Sequence, residues 1–328
     1  TRTVKGNENI EIPIYLSSMT NKNYGNELYL YYEMFHLNYA GIEKEINNGL
    51  VKIDYFPWMN QPISPLKIKT PKYSGLSKIN FTLKDKEGKI IHRNFMHLVV
   101  KSQYKIPKTF VSSIPAKEYS SSKWSKRKWE VLNGLKVNGT GEGFFELRIP
   151  LPSNLDLTVI KEAYFVIEAS SKQLYDKDKI KDYSDAGIDY MRGSKLSPHK
   201  NPNSYPMTDE IFFSSEINVS VNGKIKLNTV LADDPADHRG ILSWHNQIRP
   251  AGKVTDKDYW EKQRMLNEAG SYGYLVKIPI SNSELIESKQ NGFIKILFET
   301  TGEGGMAIYG KDFGRYPFDP SLVIITKN

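Results

Sequence analysis

The sequence predicts an all-β protein built as two strand sandwiches in tandem, and three observations predict it. Aromatic residues make up 12% of the 328, with 20 Tyr and 14 Phe, and such side chains suit half-buried pleated surfaces. Apolar stretches are short and often alternate with polar residues, the period-two pattern of strands. Gly, Pro, Asn and Ser recur at intervals of roughly ten residues, as turns do between short strands.

In the first hundred residues the pattern places strands at 10–16, 28–35, 50–56, 66–70, 78–83 and 90–100, enough for a small sandwich. The clearest pair is Lys78-Ile-Asn-Phe-Thr-Leu83, then Asp85-Lys-Glu-Gly88 as a tight turn, then Lys89-Ile-Ile-His92, which reads as a hairpin. Residues 103–122 carry Pro107, Pro115 and several serines with no sustained period, the composition of a linker. The predicted division is a first domain over 1–105, a linker over 106–122 and a second domain over 123–328.

In the second domain strands are predicted at 129–137, 143–149, 163–169, 216–221, 224–227, 241–245, 272–280, 293–300, 306–309 and 322–326. Ten short strands argue for a jelly-roll-like sandwich. Asn222-Gly223 supplies the two positive φ angles of a type I′ turn and predicts a second hairpin. The stretch 157–178 could be helical by propensity, but its Tyr-Phe-Val-Ile centre at 164–167 favours a strand with charged flanks. Thr255-Asp-Lys-Asp258 resembles a helix start, with a helix running to Glu268 and Gly270 ending it. Residues 183–209, with Pro198, Pro202 and Pro206, form a long excursion. The sequence contains no internal repeat.

Composition bounds the function. Hydrophobic residues at 39% and charged residues at 25% are globular values, and apolar runs such as 98–100 and 164–167 are far shorter than the roughly 18 residues of a membrane helix. No transmembrane span is expected. The first residues, Thr1-Arg-Thr-Val-Lys-Gly6, have no Met and no apolar segment and look like an internal or processed end. With no Cys, disulfides, thiolate metal sites and cysteine nucleophiles are excluded. The net charge of +8 is scattered and not blocked. Its densest run, Lys123-Trp-Ser-Lys-Arg-Lys-Trp129, reads as a strand edge guarded by lysines and not as a nucleic-acid site.

Catalytic signatures are weak. The alternating strands and helices of a (β/α)₈ barrel are missing, and no Gly-x-Ser-x-Gly elbow, His-Glu-x-x-His motif or phosphate loop occurs. The richest stretch runs from Leu231 to His245. Its Asp233, Asp234 and Asp237 offer oxygen ligands for a structural calcium, although Asp-Asp-Pro-Ala-Asp is also ordinary turn chemistry; no cofactor is required. Carbohydrate recognition needs flat aromatic faces together with hydrogen-bonding polar groups. The candidates are Trp244, His245, Arg249, Tyr272, Tyr274, Tyr309, Arg315 and Tyr316, and for each aromatic the competing reading is a core or half-buried sheet residue.

Three segments carry a family resemblance: Asp233-Asp-Pro-Ala-Asp-His-Arg-Gly-Ile-Leu-Ser-Trp-His245, Glu268-Ala-Gly-Ser-Tyr-Gly-Tyr274, and Gly305-Met-Ala-Ile-Tyr-Gly310 through Gly314-Arg-Tyr-Pro-Phe-Asp-Pro320. They resemble the carboxy-terminal region of β-galactosidase-like enzymes of glycoside hydrolase family 2 from polysaccharide-degrading Bacteroidetes. Pro57-Trp58, the hairpin at 78–92 and Arg93-Asn-Phe95 look like the sandwich that follows the catalytic barrel in that family. The resemblance implies an immunoglobulin-like sandwich followed by a galactose-binding-like jelly roll. It also implies a noncatalytic role in carbohydrate binding or scaffolding, a catalytic barrel elsewhere in the same polypeptide, an oligo- or polysaccharide partner, and a periplasmic or extracellular location. The family's two catalytic glutamates have no counterpart here. Two other readings stay open. One is a self-sufficient sandwich enzyme using Asp237, His238, His245, Arg249 and Tyr272, and the other is an adhesion or assembly module.

Overall fold

The computed structural model describes residues 2–172, 215–231, 273–302 and 304–327. The predicted strand at 241–245, the helix ending at Glu268 and the excursion at 183–209 lie outside the described residues. The chain divides into two compact units, Thr1–Ile106 and Pro107–Asn328, and each is strand-built.

Unit 1 contains β1 (Arg2–Lys5), β2 (Asn9–Ser17), β3 (Glu27–Asn38), β4 (Glu43–Asp54), β5 (Asn60–Lys69), β6 (Gly75–Lys84) and β7 (Ile90–Lys101). Each of the six predicted strands overlaps one of these, and β1 is an addition. Five strands form a sheet in the order β1-β7-β6-β3-β4, and β2 pairs with β5. Alternation drives the packing: Met34, Ile79, Leu98 and Val100 from the sheet meet Ile12, Leu66 and Ile68 from the β2–β5 ribbon in one buried cluster. Full burial of each such side chain stabilises by about 1.5–3 kcal/mol. The predicted hairpin is present. Asp85 accepts the Lys89 N–H at 2.8 Å, and Gly88 has a φ of 85° that a side chain would strain. The β1–β7 pair is parallel.

Unit 2 contains β8 (Thr109–Ser113), β9 (Ser121–Trp124), β10 (Arg127–Val131), β11 (Lys136–Thr140), β12 (Gly143–Pro150), β13 (Ile160–Ser170), β14 (Ser215–Val221), β15 (Lys224–Leu231), β16 (Tyr274–Pro279), α1 (Asn282–Asn291), β17 (Phe293–Thr300), β18 (Met306–Tyr309) and β19 (Ser321–Thr326). One sheet has the order β10-β11-β18-β13-β19-β8 with β16 also on β13, and the other the order β15-β14-β17-β12-β9. Between them lies one core. Phe145, Leu147 and Ile149 of β12 and Ile294, Ile296 and Phe298 of β17 pack with Phe165, Ile167, Ile308 and Ile324 of the facing sheet. Both units are therefore β-sandwiches.

Several expectations are corrected. Residues 103–122 are not a free linker, because β8 pairs with β19 and β9 with β12. The single strand expected at 129–137 is a hairpin: Leu132, Asn133 and Gly134 all have positive φ and turn the chain from β10 into β11. Helix α1 was not signalled by apolar periodicity, since Leu285 is its one buried apolar side chain. Its ends carry the signal instead. Ser281 and Glu284 form a reciprocal capping box, and Gly292 closes the helix at φ 77°. Among the described residues, no helix is long and apolar enough to cross a membrane.

Candidate functional site

Strand β13 is buried on both sides, with Tyr164, Phe165, Val166 and Ile167 all essentially inaccessible, as its uninterrupted apolar run requires. The side facing away from the sandwich core is not apolar throughout. Residues 164–166 pair with both β16 and β19, and 168–169 with both β16 and β18. Strands β18 and β19 therefore share one edge of β13, end to end. The chain leaves that edge after Tyr309, opposite Glu168, and rejoins it at Ser321, opposite Val166. Residues 310–320 are thus a loop thrown out of an almost continuous strand.

A single carboxylate holds this loop. Glu168 Oε1 accepts the N–H groups of Gly273 at 2.7 Å and Arg315 at 2.9 Å, and Oε2 accepts that of Tyr316 at 2.9 Å. Burial pushes the Glu168 carboxyl up to about 7, against the lowering effect of the three amides and of the Arg315 charge. A methyl group on Gly314 would overlap the carboxylate, so this position needs glycine. Asp319 closes the loop base by accepting the Lys311 N–H at 3.0 Å. Compact loops with pinned ends are frequent carriers of function.

Beside the loop, β11 presents Lys136, Asn138 and Thr140 on the same outer side, two residues apart. All three are buried. Lys136 Nζ lies 4.5 Å from the Tyr309 ring centroid and 5.9 Å from that of Phe313, a pair of cation–π contacts. Asn138 and Thr140 differ: among the described residues, neither the amide nitrogen nor the amide oxygen of Asn138, nor the Thr140 hydroxyl, has a hydrogen-bond partner. Directly across from Asn138 on β10 stands Trp129, whose ring is approached by Arg127 at 5.2 Å and Lys172 at 6.0 Å. A flat aromatic therefore sits at cross-strand distance from an amide with its full donor and acceptor capacity unused.

The sequence candidates distribute unevenly. Arg315 and Tyr316 are brought onto Glu168. Tyr274 follows Gly273 but pairs with Ala169, so its 38% exposed ring belongs to the opposite side of the sheet. Tyr309 is a correction: it is fully buried, with its hydroxyl 2.9 Å from Ser170 Oγ, and it serves as a core aromatic and not as a ligand platform. Trp244, His245, Arg249 and Tyr272 lie outside the described residues, as do Asp233, Asp234 and Asp237. Among the described residues no group of three His, Asp or Glu could hold a metal ion. The basic run 123–129 falls on β9 and β10, which are edge strands, in accord with the edge reading. Glu168 and Asn138 escaped the sequence reading, and Trp129 entered it only as part of the basic run 123–129. Glu168 had left a trace, as the acid that interrupts the apolar run 163–169.

No protein-family model matches the chain, and no curated protein matches it. Solved structures show a loose likeness, three of them as follows. The N-terminal tandem of CBM22 modules from Paenibacillus barcinonensis Xyn10C is 11% identical, with 98% of this chain and 79% of that chain covered and a TM-score of 0.26. A Bacteroides uniformis β-glucuronidase is 11% identical, with 99% of this chain and 28% of that chain covered and a TM-score of 0.21. A SusE-like protein is 7% identical, with 98% and 94% covered and a TM-score of 0.19. At such values the chemistry of the side chains, and not the likeness, must carry a functional reading.

Proposed function

We propose that this chain binds carbohydrate without cleaving it, as a recognition and scaffolding portion of a larger polysaccharide-degrading enzyme of the family 2 glycoside hydrolase type. The reading places the saccharide on the outer side of the seven-stranded sheet. The observation that carries it is the Trp129–Asn138 pair. A pyranose offers an apolar face to the half-buried indole of Trp129, and the buried Asn138 amide across the strand pair backs that ring, with Thr140 beside it. Arg315 and Tyr316, fixed by Glu168, extend the same region with a charged donor and a second aromatic.

The displaced carboxyl of Glu168 favours positioning over catalysis, because both of its oxygens are taken by backbone amides. A glycosidase needs two carboxyl groups free to reach one bond. In this reading the catalytic barrel belongs to the same polypeptide, and export to the periplasm or beyond follows from a polysaccharide substrate. Affinity electrophoresis of the 328-residue chain in gels containing xylan, mannan, galactan or glucan tests it. Retardation in at least one gel, weakened about ten-fold by Trp129→Ala and by Tyr316→Ala, is the expected result. Migration unchanged in every gel would remove the binding role, and turnover of chromogenic glycosides by this chain would replace it with the enzyme reading.

A further inference from the structure

A second aromatic cleft lies wholly within unit 1, and it is built differently. Two segments form it, residues 18–26 leading into β3 and residues 54–60 between β4 and β5. They are tied at both ends: the Ser18 N–H donates to Met59 O at 2.9 Å and the Tyr55 N–H to Asn26 O at 2.8 Å. Inside, Ser18 Oγ and Tyr55 OH share a buried hydrogen bond of 2.8 Å. Gln61 fastens the second segment from below, accepting the Phe56 N–H and donating to Asp54 O. The cleft encloses about 640 Å³, within the range of small-molecule sites.

Trp58 is its most unusual residue. The residue is 58% exposed, and Phe56 nearby is 54% exposed, yet the indole is not loose. Its N–H donates to Asn21 Oδ1 at 2.8 Å. Its backbone has a φ of 56°, a conformation that a bulky side chain adopts only under strain and that glycine adopts freely. Strain of this sort persists where surrounding structure enforces it, and it concentrates at binding positions. With its polar edge satisfied by Asn21, the tryptophan offers a ligand its ring face. Around it the lining is amide-rich, with Asn21, Asn23 and Asn26, and carries one Lys22 against one Asp54.

We infer that this cleft is a second saccharide site, which takes an uncharged glycan segment by stacking on Trp58. A stacking ring plus side-chain amides matches a sugar's apolar face and hydroxyl rim, and the balanced charge favours a neutral chain over a uronate. The inference rests on the proposed function for its class of ligand, but the two sites share no residue.

The test uses the 328-residue chain labelled with 5-fluorotryptophan. Five tryptophans give five fluorine resonances, and Trp58→Phe assigns one. The probes are xylohexaose, cellohexaose and mannohexaose, with a polygalacturonate oligomer as the charged comparison. The expected result is a saturable shift of the Trp58 resonance with at least one neutral probe, retained in Asn138→Ala and weakened beyond about ten-fold in the affinity of this site for Trp58→Gly. That affinity is read by calorimetry in the Asn138→Ala background. Because glycine relieves the backbone, Trp58→Gly should melt no lower than wild type, which separates lost binding from lost folding. A Trp58 signal unmoved by every neutral probe while another tryptophan responds overturns this inference and leaves the proposed function standing. Five unmoved signals overturn the inference and, for xylan, glucan and mannan, the proposed function as well. A Trp58 shift that vanishes in Asn138→Ala, or one produced only by polygalacturonate, also overturns the inference.

Discussion

Asn138 spends stability for readiness. A buried donor or acceptor with no partner costs about 1–3 kcal/mol, because it has given up water without replacement, and among the described residues neither kind of atom of this amide has a partner. Removing it should therefore help the fold and harm the function. Asn138→Ala is expected to raise the unfolding free energy by about 1 kcal/mol while weakening saccharide binding by about ten-fold. Urea denaturation beside affinity electrophoresis checks both halves, and a destabilised variant would show that the amide is paired after all. Thr140→Val, which keeps the shape and removes the hydroxyl, should move both quantities in the same directions.

Elements vary in how much of them the sequence declares. The hairpins at 78–92 and 221–224 were legible because Gly88 and Asn222-Gly223 meet fixed conformational demands within four residues. The hairpin at 129–137 was not, since Leu132 takes a left-handed conformation that its side chain does not advertise. Helix α1 was hidden for a similar reason. It buries little apolar surface, so its existence rests on termini, and Ser281→Ala should cost about 1 kcal/mol of unit 2 stability in a thermal melt. The site itself was half legible. Arg315 and Tyr316 stood out as a polar and aromatic cluster, but their meeting with Glu168 spans 147 and 148 residues, and no local pattern encodes such a distance.

For the molecule as a whole, one buried group in each unit responds to acid in the opposite sense to the other. Burial holds the His36 imidazole of unit 1 down to about 4 from its ordinary 6.5, so the unfolded chain takes up a proton first. Unit 1 therefore loses stability as pH falls from about 6.5 to about 4. Glu168 of unit 2 is raised from 4.5 to about 7, and the unfolded chain releases its proton first as pH rises. Unit 2 therefore loses stability as pH climbs from about 4.5 to about 7, by at most about 3 kcal/mol from this group. Hydrogen exchange read separately over the two units at pH 4.5 and 7 should show the crossing trends, with His36→Gln flattening the first and Glu168→Gln the second. The charge of +8 makes a further distinction. Binding of a neutral saccharide should change less than two-fold, roughly, between 50 and 500 mM salt, whereas phosphate-backbone binding would fall by orders of magnitude.

The parallel pairing of β1 with β7 has a mechanical consequence. The two strands run side by side in one direction, with Arg2 beside Leu98 and Lys5 beside Lys101. Tension applied between residue 2 and residue 106 thus pulls them past each other lengthwise. Every bond of the pair, and the Gly6 N–H to Lys101 O bond that continues it, must bear that load together, whereas peeling would break them one at a time. A pull along the polypeptide between those two points therefore meets unit 1 in shear, the direction in which this strand pair resists most.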